Sequence, residues 1–292
     1  MNRSDGYRLR GCDPFYEIIP HIMPHRYDAT NYIDLELDLE AMQGYIRRCR
    51  QKGIKMDHMS VMIGAYLRLV SQNPNLNRFV CNKRIYARNH FCVCFTTLKP
   101  DGFPGEETVT KVYFNLDDDI FEVNRKVTEA IELSRTTGDS NAMDRLLRSV
   151  MRVPFLVGST VSFLKWWDRH IGLPFAVVNG SPFHTSLFIT NLASIRIRPV
   201  YHHIYEFGTT GIFIAMGQPE RRLSKVGEVV AERKVLPIKV SCDERVESGY
   251  YYARCFREFQ KYLRNPEILE TKPERIISDP NLPVSNPKFI VR

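Results

Sequence analysis

The sequence predicts an α+β domain, a sheet backed by helices, and three observations carry that prediction. Some short segments alternate apolar and polar side chains at a period of two, as Ile238, Val240 and Cys242 do against Lys239 and Ser241. Others repeat at helical spacing, as Tyr252, Cys255, Phe256, Phe259, Tyr262 and Leu263 do. The two kinds intermingle along 292 residues without an internal repeat, linker or low-complexity run, which makes one domain over residues 30–270 the economical reading. An N-terminal arm, residues 1–29, precedes it, and a Pro-rich tail, residues 271–292, follows.

The arm is punctuated by Pro14, Pro20 and Pro24 and is expected to be irregular, lying over another part of the molecule. A strand follows, in which Ile33, Leu35, Leu37 and Leu39 alternate with Asp34, Glu36 and Asp38. Leu39 to Lys52 is helical, burying Met42, Tyr45, Ile46 and Cys49 and stopping at Gly53. Asp57 caps the next helix, whose apolar face is Met59, Met62, Ile63, Tyr66, Leu67 and Val70, and Asn73-Pro74-Asn75 ends it.

Strands are predicted at 79–81, 84–87, 91–98 and 108–114, with a turn at Pro100-Asp101-Gly102. Asp117 to Asp119 put negative charge where the helix dipole favours it, opening a helix that buries Ile120, Val123, Val127, Ala130 and Ile131. Further helices are expected at 139–150 and 154–171, the second carrying Trp166 and Trp167 as core or interface aromatics. Residues 172–182, with two prolines and two glycines, read as loop. Buried strands at 186–191 and 210–216 flank a crossover holding His202 and His203, and the last strands are 229–233 and 235–241. A helix from Gly249 leads to Pro266, which opens an extended, proline-punctuated run.

Composition narrows the class. No run approaches the roughly 20 apolar residues of a membrane span, and the first residues lack the apolar stretch of a signal peptide, so a cytoplasmic protein is expected. Seven cysteines, an odd number with no pair at zinc-ligand spacing, predict neither a disulfide framework nor a metal site. Cys92 and Cys94 alternate on one side of a strand and read as core or channel lining. A net charge of +8 favours an anionic partner. The cationic residues are dispersed, and the clusters 47–50 and 196–198 lack interleaved aromatics, which argues against nucleic acid.

Chemistry concentrates in Pro237 to Gly249, where a strand runs through Asp243-Glu244-Arg245-Val246-Glu247-Ser248 into a helix. Side chains at a strand end facing a cleft can be held rigidly, as catalysis needs. Three further strings accompany it: Ser60 to Leu76, running into Asn-Pro-Asn-Leu-Asn; Phe188-Ile-Thr-Asn-Leu; and Gly211 to Gly217 followed by Glu220-Arg221. In this order the four resemble the catalytic domain of dihydrolipoyl acyltransferases of 2-oxoacid dehydrogenase complexes and, through it, chloramphenicol acetyltransferase; the resemblance covers roughly residues 20–270. Each string alone is weak, and the specificity lies in their order. The lipoyl and subunit-binding modules that precede this domain in complex-forming enzymes are missing, which argues against an ordinary complex subunit.

The resemblance implies a chloramphenicol acetyltransferase-like mixed β-sheet backed by helices, assembled as a homotrimer with active sites between subunits. It also implies acyl transfer between a thioester carrier and an acceptor, with no tightly bound cofactor and with coenzyme A or a phosphopantetheine thioester as co-substrate. An acyl or lipoyl carrier protein is the implied partner. In the family a histidine deprotonates the thiol, a serine or threonine hydroxyl from the facing subunit stabilises the oxyanion, and an aspartate keeps the turn in shape. Asp243, Arg245, Val246 and Gly249 match the family's motif, and Thr190 matches the hydroxyl position. Glu244 stands where the family has its histidine and Ser248 where it has the aspartate. The implied catalytic residues are therefore Glu244, Thr190 and Ser248, with His202, His203, Asn191 and Asp243 as channel candidates.

An ordinary glutamate is about 2 units weaker as a base than histidine, worth roughly 2.7 kcal/mol or a hundredfold in rate. An apolar subunit interface raises a glutamate's pKa and recovers most of that. Three alternatives stand beside this reading: a structural Glu244 paired with Arg245 or Arg26, a base supplied by His184, His202 or His203, and a trimeric scaffold or ligand-binding protein without activity. A thioesterase-like hydrolase in which Glu244 activates water is a weaker fourth, and Asn179 and Ser181 are placed in a loop that could line a pocket.

Overall fold

The longest strand, Val229–Asp243, changes partners halfway along one edge. In the computed structural model, which describes residues 2–98, 107–136, 154–226, 229–282 and 289, the described strands form one mixed seven-stranded sheet and one of three strands. In chain order they are β1 (Gly6–Arg8), β2 (Thr30–Asp38), β3 (Arg78–Cys81), β4 (Arg84–Arg88), β5 (Phe91–Leu98), β6 (Glu107–Phe114), β7 (Leu187–Asn191), β8 (Ile212–Met216), β9 (Glu220–Val226) and β10 (Val229–Asp243). The main sheet runs β2-β10-β8-β7-β5-β6, with β9 beside β10, and β5-β7 and β7-β8 are its parallel pairs. The small sheet is β1-β4-β3.

β10 pairs with β2 from Val235 to Asp243, with β9 from Val229 to Val235, and with β8 from Ile238 to Cys242. Pro237 falls between the last two partners. Its carbonyl accepts from Gly217 N at 2.9 Å, so its nitrogen faces the same edge, where the chain is leaving β8 and a missing N–H breaks no ladder bond. The two strands expected at 229–233 and 235–241 are thus one, because β9 pairs across Lys234 and β2 takes over from Val235, so the extended backbone is never left unsupported. β9 went unread: Glu220-Arg221-Arg222-Leu223-Ser224-Lys225 has no apolar alternation, and it pairs outside the core, with Leu223 77% exposed.

The described helices are α1 (Pro14–Ile22), α2 (Leu39–Gln51), α3 (His58–Gln72), α4 (Ile120–Thr136), α5 (Pro154–His170), α6 (Phe175–Gly180) and α7 (Gly249–Arg264). Helices α2, α3, α4 and α7 cover one face of the main sheet. Leu236, Ile238, Val240 and Cys242 of β10 join the apolar faces of those helices in one core cluster. α3 is buried from Met59 to Ser71, and Asp57 caps it by accepting from Ser60 N at 2.7 Å. The Asp119 carboxylate accepts from Phe121 N and Glu122 N at the start of α4. The expected turn at 100–102 and helix at 139–150 lie outside the described residues.

Three further expectations differ from the structure. Residues 1–29 are not irregular: β1 pairs with β4, and α1 is capped by Asp13, whose carboxylate accepts from Phe15 N at 2.8 Å. Pro14 and Pro20 signalled a break, yet the first sits in the opening turn of α1, where its missing N–H has no intrahelical partner to lose. The stretch 172–182 holds the short helix α6 between its prolines, and the run after Pro266 begins with a 3₁₀ turn over Pro266–Glu270. No helix among the described residues is long and apolar enough to cross a membrane. Trp166, read as core or interface, is half exposed on α5.

Candidate active site

The turn after β10 is tied by two arginines that converge on one carboxylate. Asp243, 1% exposed, accepts from Arg26 Nε at 3.1 Å, from Arg245 Nε at 2.8 Å and from Arg245 Nη2 at 2.7 Å. Arg26 also donates to the carbonyls of Tyr205 (2.5 Å), Gly208 (3.2 Å) and Val80 (3.3 Å), and Arg245 donates to that of Pro24 (3.1 Å). Burial pushes the Asp243 carboxyl up, but hydrogen bonds and charge from Arg245, then Arg26, outweigh it and hold the group below the ordinary carboxylate range. Asp243, expected as a channel residue, is instead the anchor on which arm, crossover and turn meet.

Because Asp243 takes both arginines, neither reaches Glu244. The Glu244 backbone N–H donates to Ala29 O at 2.8 Å, whereas its half-buried carboxylate has no hydrogen bond or ion pair among the described residues. Ser248 caps α7, its hydroxyl accepting from Tyr251 N at 3.2 Å. The Tyr252 hydroxyl donates to Asp243 O at 2.9 Å, so helix and turn are locked together. Glu247, which the sequence places in the turn without a role, accepts from Asn75 Nδ2 (2.5 Å) and Arg78 Nη1 (3.1 Å), while Arg78 also forks onto Asp279 (2.6 and 2.8 Å). Burial leaves the Glu247 carboxyl above its usual range despite Arg78.

Thr190 lies near the end of β7, 8% exposed, with no hydrogen bond to its side chain among the described residues. It pairs with Ala215, which pairs with Lys239 on β10, five positions before Glu244. At about 4.8 Å per strand and about 3.3 Å per residue, Thr190 and Glu244 of one chain are roughly 19 Å apart. No reaction spans that distance, so the two could act together only if contributed by different copies. Asn191 follows Thr190 and is half-buried, its carbonyl accepting from Ser194 Oγ at 2.7 Å.

The crossover covers the sheet face opposite the helices. The His202 ring stacks on Phe213 (centroids 4.3 Å, 15°), which stacks on Phe188 (4.8 Å, 14°), and Ser241 Oγ donates to His202 O at 2.6 Å. Burial, and secondly the neighbouring His203, lower the pKa of His202 below the ordinary histidine value. His203 is exposed, edge-on to Tyr205. Gly208 makes the crossover's return possible: its φ of +93° and the 2.2 Å between a built Cβ and Phe183 O leave room for glycine alone.

His184 belongs to a separate, closed network. Its Nδ1 lies 2.8 Å from Ser181 Oγ and its Nε2 3.3 Å from Asp168 Oδ2, while Arg3 bridges Asp168 (2.6 Å) and Asp5 (2.8 Å). All five residues are buried, so the network pins the N-terminus against the end of α5. Ser181, placed in a pocket-lining loop by the sequence, is thus part of that network, and Asn179 is exposed on α6. Cys92 and Cys94 are buried, and no cluster of three metal-ligating side chains occurs among the described residues.

The mixed sheet, the helices on one face and the crossover on the other make this the fold of the chloramphenicol acetyltransferase-like acyltransferase catalytic domains. A probable dihydrolipoamide acetyltransferase from Listeria monocytogenes superposes with a TM-score of 0.58 at 11% identity, over 93% of this chain and 99% of that one. A truncated catalytic core of the 2-oxoacid dehydrogenase multienzyme complex from Thermoplasma acidophilum gives 0.55 at 14% identity, over 89% and 99%. A chloramphenicol acetyltransferase gives 0.55 at 12%, over 88% and 99%. No protein-family model matches the sequence, and no curated protein matches it significantly. At such identities the likeness establishes the fold.

Proposed function

We propose that the protein is an acyltransferase, moving an acyl group between a thioester carrier and a small acceptor in a site shared by two copies of a homotrimer. The carrier is coenzyme A or a phosphopantetheine or lipoyl group on a carrier protein. The single observation that carries this reading is the pairing of two unengaged groups, the Glu244 carboxylate and the Thr190 hydroxyl, too far apart to meet within one chain on an acyltransferase fold. Exposed Tyr32, Ile195, Ile197, Val200 and Tyr201 add an apolar patch beside the crossover, of the kind a facing copy covers. The Thermoplasma core is itself part of a multienzyme assembly, and further growth beyond the trimer fits the same fold.

In this mechanism Glu244 of one copy accepts the proton of the attacking thiol as its sulfur bonds to the acyl carbon. The carbonyl oxygen takes up the electron pair, and the Thr190 hydroxyl of the next copy donates a hydrogen bond to that oxyanion. Collapse expels the carrier thiolate, which recovers the proton from Glu244. Ser248, Asp243 and Tyr252 hold the turn in shape, and His202 with Asn191 lines the approach.

The test is transfer from acetyl-coenzyme A to dihydrolipoamide or another thiol by purified protein, compared with Glu244→Gln. Transfer that Glu244→Gln abolishes upholds the reading; wild-type and variant rates that coincide reject it. A second reading, a trimeric scaffold without chemistry, is favoured by the capping role of Ser248, since the residue at the family's aspartate position serves the helix instead. Glu244→His with Ser248→Asp separates them: a gained activity supports the scaffold, and loss of a parental activity contradicts it.

A further inference from the structure

Of the six buried arginines among the described residues, Arg68 and Arg88 donate to backbone carbonyls, and the other four are ion-paired. Arg3, Arg26, Arg78 and Arg245 all hold carboxylates. A second group of cations lies at the surface, with Arg10, Lys83 and Arg84 exposed and Arg8 half-buried, and gathers around one concavity. Arg8, Arg10, Lys83 and Arg84 line a polar cavity of about 530 Å³ between β1, α1 and the β3-β4 hairpin, together with His21 and Asn82. Glu17 is the one carboxylate among the lining residues. Among the described residues the side chains of Arg8, Arg10 and Lys83 have no ion pair or hydrogen bond, and Arg84 is engaged by the neutral Tyr86 hydroxyl.

The hairpin is built to present one of these charges. Asn82 and Lys83 are both left-handed, at φ 47° and 58°, and they connect β3 to β4 in a two-residue turn. Asparagine tolerates that conformation, but at the second position glycine is the residue that fits without steric cost, and lysine stands there instead. The floor of the cavity is apolar: Leu9, Cys12 and Ile85 cluster with Val246, two residues beyond Glu244.

We propose that this cavity is a binding site for a phosphoryl-bearing ligand. Four permanent cations against one carboxylate call for a ligand with more than one negative charge, which a phosphate monoester or diphosphate supplies and a single carboxylate does not. Arginine forks match the oxygens of such a group, and the volume accommodates a diphosphate with part of an organic substituent. The same chemistry could come from the phosphates of the thioester carrier or from a free phosphorylated molecule. The binding itself does not depend on the acyl-transfer reading.

The test is calorimetric titration of the 292-residue protein with inorganic pyrophosphate. Saturable one-to-one binding is expected, weakened at least tenfold in Arg10→Gln/Lys83→Gln and unchanged in Arg257→Gln/Lys261→Gln, which removes two exposed cations of α7. Circular dichroism confirms that each variant is folded. Absence of saturable binding by the wild type, or equal weakening in both double variants, overturns the proposal. A second titration with coenzyme A present identifies the source: displacement of pyrophosphate assigns the site to the carrier, and simultaneous binding assigns it to a separate phosphorylated ligand. Since no arm reads transfer, a failed site leaves the Glu244 test untouched, and a failed Glu244 test leaves the site.

Discussion

Thr190 and Glu244 occupy opposite ends of one sheet, with β8 between their strands and five residues of β10 separating their levels. An active site that needs both must therefore be assembled from two molecules. Thr190→Val and Glu244→Gln are each expected to lower kcat by about a hundredfold or more, the usual effect of removing an oxyanion donor or a base. Oligomers formed from a mixture of the two inactive variants are expected to regain activity, because some interfaces then carry both intact residues. Light scattering should give a trimer, and a monomer with full activity would refute shared sites.

The Asp243 knot should be worth more to folding than any surface pair. Removing one partner of a buried ion pair leaves an uncompensated charge and costs about 3–5 kcal/mol. Arg26→Met is expected to fall in that range by urea denaturation, because it also strips donors from the carbonyls of Tyr205, Gly208 and Val80. Arg222→Met, whose pairs with Glu36 and Glu220 are exposed or partly so, should cost about 1 kcal/mol or less.

Acid sensitivity follows from Asp168. Burial pushes its carboxyl up, but His184 and then Arg3 overcome this and bring it down to about 2. A carboxyl lowered on folding stabilises above its unfolded value, near 3.9, and that contribution disappears as pH falls through the folded one. Roughly 2 kcal/mol should be lost between about pH 5 and pH 2, and unfolding free energies of Asp168→Asn should be flatter across that window.

His202 has the opposite sign. Its folded pKa lies below 6.5, so the unfolded chain binds the proton more readily, and stability should rise with pH through the region just below 6.5. His202→Gln should abolish that step. With Glu244 as the base, the same variant should keep kcat/KM within about tenfold of wild type, and a loss as large as that of Glu244→Gln would move the base to the imidazole.

At Gly208 any side chain requires both a left-handed backbone and a closer approach to Phe183 O than atoms allow. Gly208→Ala should cost roughly 2 kcal/mol or more, read as a shifted denaturation midpoint. Gly53→Ala shares a positive φ but has open space around it, so its cost should come from strain alone, about 1 kcal/mol.

By itself the sequence determined those elements whose side chains alternate or repeat strongly enough to betray one buried face. β5 and α3 emerge within a residue of their expected bounds, and the strand-turn-helix around Glu244 is legible for the same reason, since Cys242 and Tyr252 are core residues flanking a polar turn. Solvated or short elements escaped: β9 has no apolar face, and β1, at three residues, exists only because β4 supplies its hydrogen bonds. Tertiary structure alone decided which partner each charge took. Arg26 and Asp243 lie 217 residues apart, so no local pattern could reveal that Arg26 and Arg245 leave Glu244 free, nor that strand order carries Thr190 away from it. Periodicity reports burial, which is local, whereas ion pairing and strand neighbours are settled by how distant segments close over one another.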